Sequence, residues 1–204
     1  MKVITTIFFD VGGVCLTNGW DQISREKSTK KFSLDYEEME RRHGPLFKKF
    51  EKGKLSLDEY LNEVVFFKER NFSKSDFIEF MHSQSKVFDS TLKLLEKLAN
   101  KKKYLLATLN NESRELNKYR LNNKFNLIKY FNCFFSSCYL GARKPEQEIF
   151  YAATHILQKD PEECLFIDDR EENYTAATNY GLNTILLNEP ANLQVKLEEN
   201  NIEI

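Results

Sequence analysis

The chain has 204 residues, 41% hydrophobic and 30% charged, with a formal net charge of −1. That length suits one domain carrying an insertion, or one large and one small domain. A charge this close to neutral excludes the broad basic field through which proteins bind nucleic acid or anionic lipid, so neither nucleic acid nor membrane is expected as a partner.

In chain order, residues 3–9 form an apolar run rich in β-branched and aromatic side chains, expected to be a buried strand. It is too short to be a signal peptide, and Asp10 breaks it. Gly12-Gly13 follow one residue later, after Val11. Residues 20–88 are polar, rich in Lys and Glu and helically periodic, and they predict a bundle of about four helices with breaks at Gly44-Pro45 and Gly53. In SLDEYLNEVVFF, Leu57, Tyr60, Leu61, Val64 and Val65 share a face, and Ser56 with Glu59 makes a capping box. SKSDFIEFMHS repeats the pattern through Phe77, Ile78, Phe80 and Met81.

Beyond residue 88 strands and helices alternate. Helices are expected over 91–100, 112–121, 145–157 and 171–180, with Pro145 in the first turn of the third and Gly181 closing the last. Strands are expected over 104–108, 131–136, 164–167 and 183–187. Cys15, Cys133, Cys138 and Cys164 form no C-x-x-C pair, no histidine stands at zinc-finger spacing, and no stretch approaches the ~18 apolar residues of a membrane span. Reduced thiols, a cytoplasmic location and a monomer or homodimer are the expectation.

The fold class is therefore α/β: a Rossmann-like parallel sheet of about five strands, with a helical cap inserted after the first strand. Residues 1–17 and 89–204 would form the core and residues 18–88 the cap. The carboxyl ends of the strands, where open α/β sheets bind ligands, carry Asp10, Thr108 and Asp168-Asp169. Three carboxylates on one rim repel one another unless a cation joins them or their pKa values rise. Hard oxygen donors with open positions suit Mg²⁺ and a substrate phosphate. Gly12 and Gly13 let the backbone approach a ligand closely. Lys144 is placed to neutralise a phosphate oxygen, leaving Asp10 as the nucleophile. Asn110, Asn111 and Arg143 are candidates for substrate contact, with helix capping the alternative for Asn111 and a surface ion pair for Arg143. Trp20, His43, His82 and His155 read as packing, core or surface residues.

FFDVGGV, LLATLNNES, GARKPE and FIDDREENYTAA resemble, in order and spacing, the four motifs of the haloacid dehalogenase superfamily, and the resemblance runs from Ile4 to Leu187. FEKGKLSLDEY resembles the cap of the sugar-phosphate phosphatase-like branch. The resemblance implies that Asp10 is the nucleophile, that the Thr108 hydroxyl binds the phosphoryl group, and that Lys144 is the motif lysine. It also implies a Mg²⁺ site formed by Asp10, the Gly12 carbonyl, Asp168 and Asp169. Asn173 stands where relatives often carry an acid. Gly12 is a departure, because the family's phosphatases usually carry a second aspartate there as general acid/base, and its dehalogenases an aromatic. The expected function is a Mg²⁺-dependent phosphatase acting on a small phosphorylated metabolite, with sugar phosphates as candidates, through an aspartyl-phosphate. Activated leaving groups would be favoured, since general acid help is worth about 10²–10⁴ in rate. The alternatives are a binding module that kept the fold and lost turnover, and a dehalogenase-type attack on carbon.

Overall fold

The computed structural model describes residues 2–204. Five strands form one parallel sheet: β1 (Thr6–Phe9), β2 (Leu105–Asn110), β3 (Cys133–Ser136), β4 (Cys164–Asp168) and β5 (Asn183–Leu186), in the order β3-β2-β1-β4-β5. The chain winds outward from β1 through β2 to β3, then returns to lay β4 against the other side of β1. The order reverses between β1 and β4, and ligands bind at the carboxyl ends of such a pair.

The strands are apolar on both faces, as a sheet covered on both sides requires. Ile7, Phe9, Leu106, Leu165 and Ile167 pack on one face with Leu94, Leu95 and Leu98 of α6 (Asp89–Lys101) and Leu193 and Leu197 of α11 (Leu193–Glu199). Phe8, Ala107, Leu109 and Phe166 pack on the other with Ile149, Phe150 and Ala153 of α9 (Gln147–Ile156) and Ala177 of α10 (Glu171–Tyr180).

Between β1 and β2 lie α1 (Gln22–Phe32), α2 (Tyr36–His43), α3 (Phe47–Glu51), α4 (Leu57–Val64) and α5 (Lys74–Ser83). That is five helices rather than about four, because α3 is a five-residue helix between the breaks at Gly44 and Gly53, too short for periodicity to reveal. These helices bury a separate core around Met39, Phe50, Tyr60, Leu61 and Phe77. Reciprocal capping boxes start α4 at Ser56/Glu59 and α5 at Ser73/Asp76. The end of α3 docks on the rest of the chain. Arg143 Nε reaches Glu51 Oε2 at 2.6 Å, Lys52 Nζ reaches Glu146 Oε1 at 2.6 Å, and Ser137 Oγ donates to the Glu51 carbonyl at 2.7 Å.

Element boundaries moved in ways that matter for the site. β2 runs two residues past Thr108 to Asn110. The helix expected over 112–121 starts at Arg114, capped by Ser113; α7 (Arg114–Lys118) then widens into a π-helical turn at Tyr119–Lys124. Pro145 is outside α9: the Lys144-Pro145 peptide is cis and Glu146 is the N-cap. Neither α8 (Ser137–Leu140) nor α11 was expected. No helix among the described residues is long and apolar enough to cross a membrane.

Candidate active site

Asp10 follows the last residue of β1, and its backbone N–H continues the ladder onto the Ile167 carbonyl at 2.9 Å. Asp168 ends β4 and Asp169 follows it. The three carboxylates offer oxygens within 4.8 Å of one another. Lys144 Nζ lies among them, 3.1 Å from Asp10 Oδ1 and 2.6 Å from Asp168 Oδ2. Burial works against the Lys144 ammonium, but Asp10 and Asp168 outweigh it and hold its pKa above the ordinary lysine value. Burial pushes the Asp10 carboxyl up to about 7; Lys144 opposes the rise, and Asp168 and Asp169 add to it. Burial likewise raises Asp169, against the pull of Asn18.

The two acids of β4 have different surroundings. Both oxygens of Asp168 are taken, by Lys144 Nζ, by the Arg170 N–H at 2.8 Å, and by Asn173 Nδ2 at 3.0 and 3.1 Å. Asp169 accepts one bond, from Asn18 Nδ2 at 3.2 Å, and its Oδ1 is buried with no partner. An orphaned, buried carboxylate oxygen within reach of two other carboxylates fits a divalent cation held by oxygen donors. Asp10 and Asp169 would hold it, with Asp168 orienting Lys144.

Gly13 makes this arrangement possible. Its φ is +78°, and a Cβ there would lie 2.1 Å from the Asp169 carboxyl. Gly13→Ala should therefore push Asp169 aside and strain the backbone. We expect a fall in Tm and at least tenfold weaker divalent-cation binding, read by calorimetry; an unchanged affinity would show that Asp169 does not hold the ion.

A cavity of about 650 Å³ opens above Asp10, between the sheet edge and the helical insertion. Trp20, Phe47, Phe50 and His43 from the insertion line it, opposite Gly12 and Lys144. Its wall cations are mostly paired: Arg25 with Glu40 at 2.9 Å, Arg143 with Glu51, and Arg120 with Glu112. Trp20 Nε1 donates to the Tyr60 hydroxyl at 2.9 Å, and that hydroxyl lies 2.7 Å from His43 Nδ1. Burial, helped by Arg25, holds His43 down to about 4, so it is neutral at pH 7 and a poor source of protons. His82 stacks on Tyr119 and His155 on Tyr151.

Asp10, Gly12, Lys144 and Arg143 all line the cavity, with Asp168 and Asp169 beside Asp10. Arg143 is also committed to Glu51 across the contact between insertion and core. Neither Thr108 nor Asn110 is among the lining residues, and the Thr108 hydroxyl is buried without a partner. Thr108 sits inside β2, level with Phe9 and fully buried, because the strand continues past it. The strand end is Asn110, whose Oδ1 accepts from Ser136 Oγ at 3.0 Å while its Nδ2 is buried without a partner. Asn111 does not cap a helix. Its side chain holds the backbone of Lys144 from both sides, donating to the carbonyl at 2.8 Å and accepting from the N–H at 2.9 Å. Asn18, Glu112 and Arg120 were not singled out from the sequence, where nothing local marks them.

A sheet wound outward from its middle strand thus gathers three acids and a buried lysine at its reversal point, beside a cavity. The chain belongs to the haloacid dehalogenase-like hydrolases, whose family model matches residues 4–181. It is 28% identical over 166 residues, 81% of its length, to flavin mononucleotide hydrolase 1 of Arabidopsis thaliana, a chloroplast protein. Over 73 residues, 36% of the chain, it is 33% identical to the bifunctional epoxide hydrolase 2 of Rattus norvegicus. It spans 66% of the first of these relatives and 13% of the second. A crystal structure of a haloacid dehalogenase-family enzyme from Bacteroides thetaiotaomicron, in complex with magnesium and inorganic phosphate, superposes with a TM-score of 0.78. Identity is 27%, over 90% of this chain and 93% of that one.

Proposed function

We propose that the protein is a Mg²⁺-dependent phosphatase of small phosphate monoesters, reacting through an aspartyl-phosphate on Asp10. The observation that carries this reading is the Asp10 carboxylate at the cavity floor, held 3.1 Å from Lys144 Nζ and next to the orphaned Oδ1 of Asp169. The magnesium and phosphate bound by the similar Bacteroides enzyme support it. Asp10, Asp169 and the Gly12 carbonyl are the residues to hold Mg²⁺, which when bound would neutralise charge on the transferring phosphoryl group.

The chain's own groups do the rest. One Asp10 oxygen attacks phosphorus as the bond to the leaving oxygen breaks. Lys144 and the free Nδ2 of Asn110 stabilise the phosphoryl oxygens, and the Gly12-Gly13 turn lets the backbone come close. Asn111 fixes Lys144 for this task. Water then attacks the phosphorus of the aspartyl-phosphate, releasing inorganic phosphate and restoring Asp10. The helical insertion serves as a cap, excluding bulk water and choosing the substrate. Its aromatic residues and the cavity of about 650 Å³ accommodate a substrate with a flat ring as well as a sugar, and the likeness to a flavin mononucleotide hydrolase puts flavin mononucleotide beside sugar 1-phosphates in the first panel.

The test is turnover of p-nitrophenyl phosphate, sugar phosphates and flavin mononucleotide with Mg²⁺ and with excess chelator. We expect activity that needs Mg²⁺. Asp169→Asn should raise the Mg²⁺ concentration for half-maximal rate about 10–100-fold. Full activity in chelator would contradict the metal assignment. Gly12 favours a second reading, a module that binds phosphate without turning it over; tight phosphate binding with no hydrolysis of any ester would establish it.

A further inference from the structure

Gly12 is not in a left-handed conformation, so its backbone would accept a side chain. What stands in the way is other residues: a Cβ there would lie 2.6 Å from Asn18 Oδ1 and 3.7 Å from Arg120 Nη1. The space beside Gly12, two residues beyond Asp10, is thus filled from elsewhere in the chain.

Arg120 is 2% exposed, yet it lines the cavity. It sits on the π-helical turn, a feature concentrated at functional sites. Its Nη1 pairs with Glu112 Oε1, its Nη2 donates to the Thr17 carbonyl at 2.7 Å, and its Nε is buried with no partner. Glu112 is itself 4% exposed and held by Asn117 Nδ2 at 3.3 Å. Burying an ion pair yields little net stability, because desolvation offsets the attraction. A guanidinium kept in a cavity wall with a donor to spare points to a ligand.

We infer that Arg120 is a catalytic residue whose guanidinium stabilises the leaving oxygen of the phosphate ester, with Glu112 and the Thr17 carbonyl positioning it. This rests on the phosphatase reading. In-line displacement puts the leaving oxygen opposite Asp10, and the open side above Asp10 is the cavity that Arg120 lines. As the Asp10 oxygen bonds to phosphorus, the electrons of the breaking P–O bond stay on the leaving oxygen. A guanidinium does not give up a proton in a protein, so it acts by charge and hydrogen bonding. The alkoxide or phenolate takes its proton from water. The chain therefore handles leaving groups by electrostatics rather than by acid catalysis.

The test is the dependence of log kcat/KM on leaving-group pKa, measured with substituted phenyl and alkyl phosphates. The protein as it stands is compared with an Arg120→Met/Glu112→Leu double variant, which removes the pair together, and with Arg120→Lys. We expect the slope to steepen in the double variant, with a loss of a few-fold for p-nitrophenyl phosphate and about 10²–10³ for alkyl esters, the range for removing one such donor. Arg120→Lys should fall between. Mg²⁺-dependent binding of inorganic phosphate should stay within a few-fold, since no leaving group is present. If the double variant does not fold, Arg120→Lys, which keeps a cation for Glu112, carries the comparison through its own change of slope. A loss equal for every leaving group would make Arg120 structural and overturn the inference. So would a Glu112→Gln variant that loses the basic limb of the pH profile while Arg120→Lys keeps the slope, for then Glu112 would be the proton donor. Activity of the unaltered protein with an unchanged slope in the variants overturns this inference alone; inactivity on every ester overturns the phosphatase reading and this inference with it.

Discussion

Exchanging Asp10 for asparagine is expected to remove turnover, by at least about 10⁴ in kcat, the scale seen when a catalytic nucleophile is lost. The amide has nearly the shape of the carboxylate and its oxygen can still accept the Val11 N–H, which lies 2.7 Å from Asp10 Oδ1. The fold should therefore survive, and the loss should report chemistry. More than a few per cent of residual activity would exclude a covalent role for Asp10. The same variant has a signature in stability. Burial raises the folded-state pKa of Asp10 from 3.8 to about 7. Between those values the unfolded chain has released the proton and the native protein still holds it, so stability falls as pH rises through that window. The asparagine variant lacks this contribution. In metal-free protein, the Tm of the unaltered chain should drop relative to that of the variant between about pH 4 and 7. Parallel curves would show that Asp10 is ionised throughout.

Lys144→Met should be the most destabilising change at the site. Lys144 is 1% exposed and faces Asp10 and Asp168 at once. Removing it leaves Asp10 and the Asp168 carboxylate without their buried cation, and losing one partner of a buried pair costs about 3–5 kcal/mol. At pH 7 the lysine's stabilising effect is fully present, since its raised pKa means that the effect fades only as pH climbs above the ordinary lysine value. The deficit should shrink as pH falls, because Asp10 is then protonated with or without the lysine. Urea titrations at pH 7 and pH 5 check this, the midpoint falling clearly at the first and less at the second. Turnover should be lost as well, because among the described residues no other cation forms an ion pair with Asp10. A stable variant at pH 7 would show that the acids are satisfied by other means.

Much of the fold is local information, and that part was legible. The alternation of strands and helices after residue 88, the capping box at Ser56, and Gly181 at φ +104° closing α10 all follow from spacing and residue type. That Asp10, Asp168 and Asp169 share the carboxyl edge follows from a parallel sheet, whereas the pairing of β1 with β4 that brings them within 4.8 Å is set by strand order, which no local pattern shows. The misplacements have physical causes. The strand expected over 104–108 extends to Asn110, whose amide is held by Ser136 on the neighbouring strand. Pairing across a sheet decides such an end, and no local pattern shows it. The clamp of Asn111 on Lys144 joins residues 33 apart. The contact of Arg120 with Thr17 joins residues 103 apart. The five-residue α3 and the four-residue α8 span little more than one helical turn, too little for a periodic pattern to reveal, and tertiary contacts hold them.

The most direct test of the account is to look for the phosphoryl group on the protein. Rapid acid quench of the enzyme turning over a ³²P-labelled aryl phosphate in Mg²⁺, followed by peptide mapping, should find label on the peptide containing Asp10, in an alkali-labile linkage. The Asp10→Asn variant should carry none. Release of phosphate with no labelled protein at any time, or label on a different residue, would contradict a mechanism that begins at Asp10.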